Sequence, residues 1–291
     1  MQFNEKKSID HLVENISKSS NKNQKSKLQP HKGNKKEQII HNYDFFLKNE
    51  IDTNEILKNT NKTNINQRYY LLESFSPLKI GEINQEQSHL ENYTPLNISI
   101  NPLSYVLVTY PYSRKLYPTF ETFFSRIIES KTFFHYFFSS YFYLADSLIE
   151  LNEKGIYPIK FNQKTIFFNR EKLPILSLPL TFHQENNFLE TIHHLSKEDF
   201  DNLFPFSLFE NKTKEEMRNE CIMIMPNINN YQLSLLYLKQ IDKIMEETNH
   251  YQYQYPLIEK VRECFQNVVF ADHKKREKLQ ETKEKIENLF L

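Results

Sequence analysis

Tryptophan is absent, and glycine occurs only three times, at Gly33, Gly81 and Gly155. A loop that closes around phosphate needs several neighbouring glycines, because a Cβ keeps the backbone at a distance. No stretch of this chain supplies them. Cys221 and Cys264 are the only cysteines, too few and too far apart for a disulfide framework or a zinc site. No disulfide partner is expected for either, and a reduced, intracellular, cytoplasmic setting follows as the expectation. An excess of one charge is also lacking: 37 Lys and Arg face 37 Asp and Glu, so no global field draws the chain to nucleic acid or membrane. The most apolar stretch, from Phe133, is interrupted by His135, Ser139, Ser140 and Asp146. It therefore falls short of the ~18 uninterrupted apolar residues of a membrane span and reads as core. No apolar run near the amino terminus resembles a signal peptide. G-x-S-x-G, H-E-x-x-H and Walker motifs are missing as well.

What is present is aromatic. Phe occurs 24 times and Tyr 17 times within a 39% hydrophobic chain, enough for a substantial core. The stretch 133–182 organises the rest. Phe137, Tyr141, Leu144, Ala145, Leu148 and Leu151 recur at helical spacing, with further aromatics on the remaining faces, which predicts a helix buried on most sides. Lys154 and Gly155 supply a cationic last turn and a left-handed stop. Thr165 to Asn169 and Pro174 to Leu178, separated by Arg-Glu-Lys, predict a hairpin.

Around this centre the chain divides into three parts. Residues 1–36 carry nine lysines against Glu5, Asp10 and Glu14, with almost no apolar residues after Val13. Such a segment buries too little surface to offset its ordering entropy and is expected to be a disordered basic tail. Its functional reading is a tether to an anionic polymer or a membrane surface. Residues 37–112 are expected to form a small α+β region: a helix from Glu37 to Lys58, then strands at Tyr69 to Glu73, Leu78 to Ile83 and Tyr105 to Tyr110. Residues 113–291 are expected to be mainly helical, with Leu116 to Ser130, the helix from Phe133, Leu233 to Met245, Pro256 to Phe270 and Lys275 to Leu291 around the hairpin. Ser196 with Asp199, and Thr213 with Glu216, have capping-box spacing. His193 and His194 are adjacent and diverge on a helix, so a surface role outweighs a metal role. Glu215 with Glu216, and Glu246 with Glu247, read as solvated helix faces.

The segment LADSLIELNEKGIYPIKFNQKTIFFNREKLPILSLPLTF resembles the protein-kinase stretch from the helix before the catalytic loop through the magnesium-binding turn. Leu148, Leu151, Lys154, Gly155, Ile156, Ile166 and Leu180 stand at positions that match the family's scaffold. VLVTYPY, Val106 to Tyr112, resembles the last small-lobe strand and hinge. NNYQLSLLYL, from Asn229, resembles the helix start after the activation segment, with Asn229 at the family's Asp. FADHKKREKLQETKEKIENLF, from Phe270, resembles the closing helix, with Arg276 at the scaffold Arg and Glu220 as its candidate partner. The minimal small lobe and Asn/Lys-rich sequence are similar to divergent kinase-like proteins of large DNA viruses. The resemblance implies an α+β, two-lobed protein-kinase-like fold with a reduced small lobe and a mainly helical large lobe.

The residues that carry the family's chemistry are replaced. Lys160 stands at the catalytic Asp and cannot accept a substrate proton as a charged amine. Asn162 replaces the loop Lys, Thr165 the Asn that binds the second metal, and Ser177 the metal-binding Asp. Magnesium thereby loses two oxygen ligands. The resemblance puts Tyr110, Pro111 and Phe167 in an altered nucleotide pocket: Pro111 lacks the amide that a hinge position would offer adenine, and Phe167 puts a ring where the family has a smaller side chain beneath it. The resemblance thus implies a pseudokinase: a scaffold that binds a protein partner, has lost phosphoryl transfer and shows no magnesium-dependent nucleotide binding, with no cofactor or metal expected. Two other readings stay open. One is an active kinase or other phosphotransferase with displaced catalytic residues, drawing on Lys160, Lys164, Glu171 or Glu185. The other is an adaptor acting through the basic tail.

Overall fold

The computed structural model describes residues 36–42, 44–59, 65–77, 105–159, 161–183, 203–204, 212–247, 255–273 and 275–290. The basic tail up to residue 35, the strand expected at Leu78 to Ile83, Lys160, Glu185, His193, His194 and the Ser196–Asp199 box lie outside the described residues.

The described chain begins with a strand, β1 (Glu37–Asn42), where the sequence predicts the first turns of a helix. Its backbone groups pair along their whole length with β4 (Tyr105–Tyr110), so Ile39 faces Val108 and Ile40 faces Leu107. Two adjacent isoleucines do not settle the period, and a partner strand far along the chain, at Tyr105–Tyr110, decides in favour of the strand. Helix α1 (Phe45–Asn59) follows, with the Asp44 carboxylate accepting from the Leu47 amide at 2.9 Å as its cap. A short helix α2 (Ile65–Arg68) leads to β2 (Tyr69–Tyr70) and β3 (Ser74–Pro77). β3 lies antiparallel to β4 on the side opposite β1, giving the order β1-β4-β3.

After β4 come α3 (Phe120–Ile127) and α4 (Phe133–Glu153). Helix α4 buries twelve residues, among them all six predicted from its periodicity. Gly155, at φ 68°, stops it in the left-handed region, where a Cβ would clash. β5 (Ile156–Pro158) then pairs antiparallel with β8 (Thr181–His183). Between them lies the predicted hairpin, β6 (Ile166–Phe168) and β7 (Pro174–Ser177), with Phe167 opposite Ile175. β2 adds to this hairpin in parallel, Tyr70 beside Ser177, so a chain segment before β4 enters the sheet that follows α4.

Helices α5 (Lys214–Glu247), α6 (Tyr255–Val269) and α7 (Leu279–Asn288) complete the described chain. The predicted Thr213–Glu216 box caps α5: the Glu216 carboxylate accepts from the Thr213 amide at 2.7 Å and the Thr213 hydroxyl from the Glu216 amide at 3.2 Å. The main core joins α3, α4, α5, α6 and the hairpin through aromatic rings. Phe168 stacks on Phe123 at 3.8 Å, Tyr237 meets Phe120 and Phe137 edge-on, and Phe290 closes on Phe138. No helix among the described residues is long and apolar enough to cross a membrane.

Candidate functional site beneath β4

Three segments distant in sequence meet under β4. Tyr110 ends that strand, Tyr70 comes from β2, and Phe167 comes from β6. The Tyr70 and Tyr110 rings stack at 4.8 Å with an 11° angle, and Phe167 meets Tyr70 edge-on at 5.3 Å. All three are buried, and Tyr112 packs against Tyr70 at 5.2 Å. The volume beneath the strand is therefore filled with rings.

Polar groups bind the filled space together. The Tyr70 hydroxyl donates to the Tyr112 carbonyl at 2.6 Å, and the Tyr110 hydroxyl donates to the Glu50 carboxylate of α1 at 3.2 Å. Arg114 lays its guanidinium over Tyr70 at 5.0 Å and over Tyr110 at 5.7 Å, and donates to the Ser177 hydroxyl at 3.2 Å. Glu37 of β1 holds the same corner, accepting from the Ser113 hydroxyl at 2.9 Å and from the Arg114 amide at 3.3 Å. Burial pushes the Glu50 carboxyl up from 4.5 to about 7, and the Arg114 charge and the Tyr110 hydroxyl oppose that shift without cancelling it. Burial also raises both tyrosine hydroxyls. The site thus holds one carboxyl that titrates near neutrality and one guanidinium that spans from β4 to β7.

The residues picked from the sequence fall into several groups. Tyr110, Phe167 and Ser177 come together here. Pro111 is next in the chain but exposed. Asn162 and Thr165 serve their own turn: the Thr165 hydroxyl donates to the Asn162 carbonyl at 2.9 Å and accepts from the Asn162 amide at 3.0 Å. The Thr165 carbonyl in turn accepts from the Ser177 amide at 2.7 Å, which ties the turn to the end of β7. Lys164 and Glu171 are exposed in turns. Asn229 donates to the Asn152 side chain at 2.8 Å, while the next residue, Asn230, grips the Glu277 carbonyl and the Thr282 hydroxyl ahead of and within α7. The expected partner of Arg276, Glu220, instead pairs with Lys212 at 2.5 Å. Arg276 lies 4.0 Å over the Tyr231 ring.

Sequence reasoning missed Glu37, Glu50, Tyr70 and Arg114, whose partners lie far away in the chain. It also missed a buried seam between α1 and β8. The Asn49 amide donates to the Thr181 carbonyl at 2.8 Å, its oxygen accepts from the Thr181 amide at 2.9 Å, and the hydroxyls of Thr53 and Thr181 meet at 2.6 Å. One side-chain amide thereby does for β8 what a neighbouring strand would do, and it fixes α1 against the segment that follows Ser177. No family model matches this chain, and no curated protein matches it in sequence.

Proposed function

We propose that the chain is a protein-kinase-like module that binds a protein partner and has given up phosphoryl transfer. The observation that carries this reading is the filling of the space beneath β4 by Tyr70, Tyr110 and Phe167, with Arg114 bridging to Ser177. On the kinase-like register that space is the adenine site and Ser177 is the metal-ligand position, so a nucleotide would have to displace stacked rings and a guanidinium. The reading is further supported by the strand order β1-β4-β3 with α1 between β1 and β3, and by a hairpin set between the paired strands β5 and β8. Each of these fits a two-lobed arrangement with a reduced small lobe.

The test is a thermal-shift titration with ATP, with and without magnesium. The expected result is no magnesium-dependent stabilisation; a shift that rises with both would sink the proposal. One feature favours a second reading, a transferase with displaced chemistry: a carboxyl that titrates near 7, Glu50, beside the Tyr110 hydroxyl is tuned for proton transfer. Radiolabel transfer from nucleotide that disappears on Glu50→Gln would establish that reading in place of the first.

A further inference from the structure

A groove of about 260 Å³ lies between α1 and the β2–β3 segment, lined by none of the stacked rings of the filled site. Its floor is apolar, from Ile51 and Leu72, and Phe75 stands at its edge with 45% of its surface exposed. Its walls are rich in acceptors. Asn54 is buried and donates to the Glu50 carbonyl, yet its own side-chain oxygen has no partner, and a buried acceptor left unmet costs about 1–3 kcal/mol. Glu55 and Glu73 add carboxylates. The one lysine of the lining, Lys58, already gives its ammonium to the Leu72 and Glu73 carbonyls. The groove is smaller than the ~300–1,000 Å³ of drug-sized sites. It therefore suits a few aliphatic side chains flanked by cations.

The chain outside the described residues has that chemistry and starts at the groove. Lys36, the first described residue, pairs with Glu73 on the groove wall. Upstream, Ile9, Leu12, Val13 and Ile16 follow the i, i+3, i+4, i+7 spacing that sets four apolar side chains on one side of a helix. The 19 residues from 17 to 35 that separate this stripe from Lys36 include six lysines and reach roughly 60 Å when extended. The return to the groove is thus sterically easy and electrostatically favoured. We infer that the α1–β3 groove is a docking site for the Ile9–Ile16 stripe of the chain's own amino-terminal segment, with the lysine-rich connection lying along Glu55 and Glu73. This holds whichever fold family the chain belongs to.

The experiment uses the full chain with a benzophenone amino acid in place of Phe75, in a mixture of isotopically light and heavy copies. Irradiation is expected to give crosslinks to peptides spanning residues 9–16 of the same copy. Leu12→Asp is expected to lower their yield at least fivefold, and the exposed change Glu55→Lys to lower it severalfold. Glu55 is an exposed position of α1, and circular dichroism of each variant checks that folding is kept. Crosslinks between light and heavy copies, crosslinks to other peptides only, or a yield unmoved by Leu12→Asp would overturn the assignment.

Discussion

The helical core and the site beneath β4 are both built from aromatic residues, but they use them differently. Around α4 the rings are mostly phenylalanines at or near zero exposure, such as Phe120, Phe124, Phe133 and Phe168, which need nothing but close packing. Beneath β4 they are mainly tyrosines, and the hydroxyls of Tyr110 and Tyr70 find Glu50 and the Tyr112 carbonyl, with Arg114 over both of those rings. The first region responds chiefly to changes of volume, whereas the second also responds to protonation and to the loss of single polar atoms. A region that could have been a binding pocket is in this way turned into a polar-stitched core.

Breaking the helical side should cost most. Phe168→Ala removes a fully buried ring stacked on Phe123 and is expected to lower stability by about 3–5 kcal/mol, measured by urea denaturation. Next comes the seam that holds α1 to β8. Asn49→Ala strands the Thr181 amide in a buried setting and is expected to cost about 2–4 kcal/mol, with faster hydrogen exchange concentrated in α1 and β8.

Protonation sharpens the contrast between the two regions. The Glu50 carboxyl has a folded value raised above its unfolded one, so the folded state holds this proton more tightly. Its contribution is fully present below about pH 4.5 and is lost as pH rises through about 7. Partial solvent contact reduces a ceiling of roughly 3 kcal/mol to about 1–2 kcal/mol. Glu50→Gln should remove that slope, leaving the variant more stable than the natural chain at pH 8 and similar to it at pH 4; equal slopes in urea melts across this range would refute the assignment. The smallest effect is expected at the helical surface. Asp146 pairs with Lys283 of α7 at 3.1 Å while 44% exposed, so Asp146→Asn should cost less than about 1 kcal/mol and nothing measurable in high salt.

The legible parts of the sequence were those whose physics is local. Helix α4, its stop at Gly155, the hairpin and the Thr213 cap each depend on residues within a few positions of one another. β1 was misread because Glu37 to Asn42 is short and its two isoleucines are adjacent, so pairing with β4 overrode a weak helical pattern. The site was legible only in part: Tyr110, Phe167 and Ser177 stood out, and Glu37, Glu50, Tyr70 and Arg114 did not. Arg114 has Ser177 as its partner 63 residues on, and no local pattern announces such a contact.

The sequence by itself determined the helical scaffold, because apolar spacing, caps and a single well-placed glycine act through neighbouring residues. It also set the chemistry available: abundant rings, few glycines, and Lys160, Thr165 and Ser177 where a kinase-like register would need acid, amide and metal ligand. The tertiary structure alone decided that Tyr70 enters the hairpin sheet in parallel, that Asn49 stands in for a strand beside Thr181, and that the space under β4 is full. Those outcomes depend on burial and on hydrogen bonds between segments 60 to 132 residues apart, whose free energy appears only once the chain has closed around them.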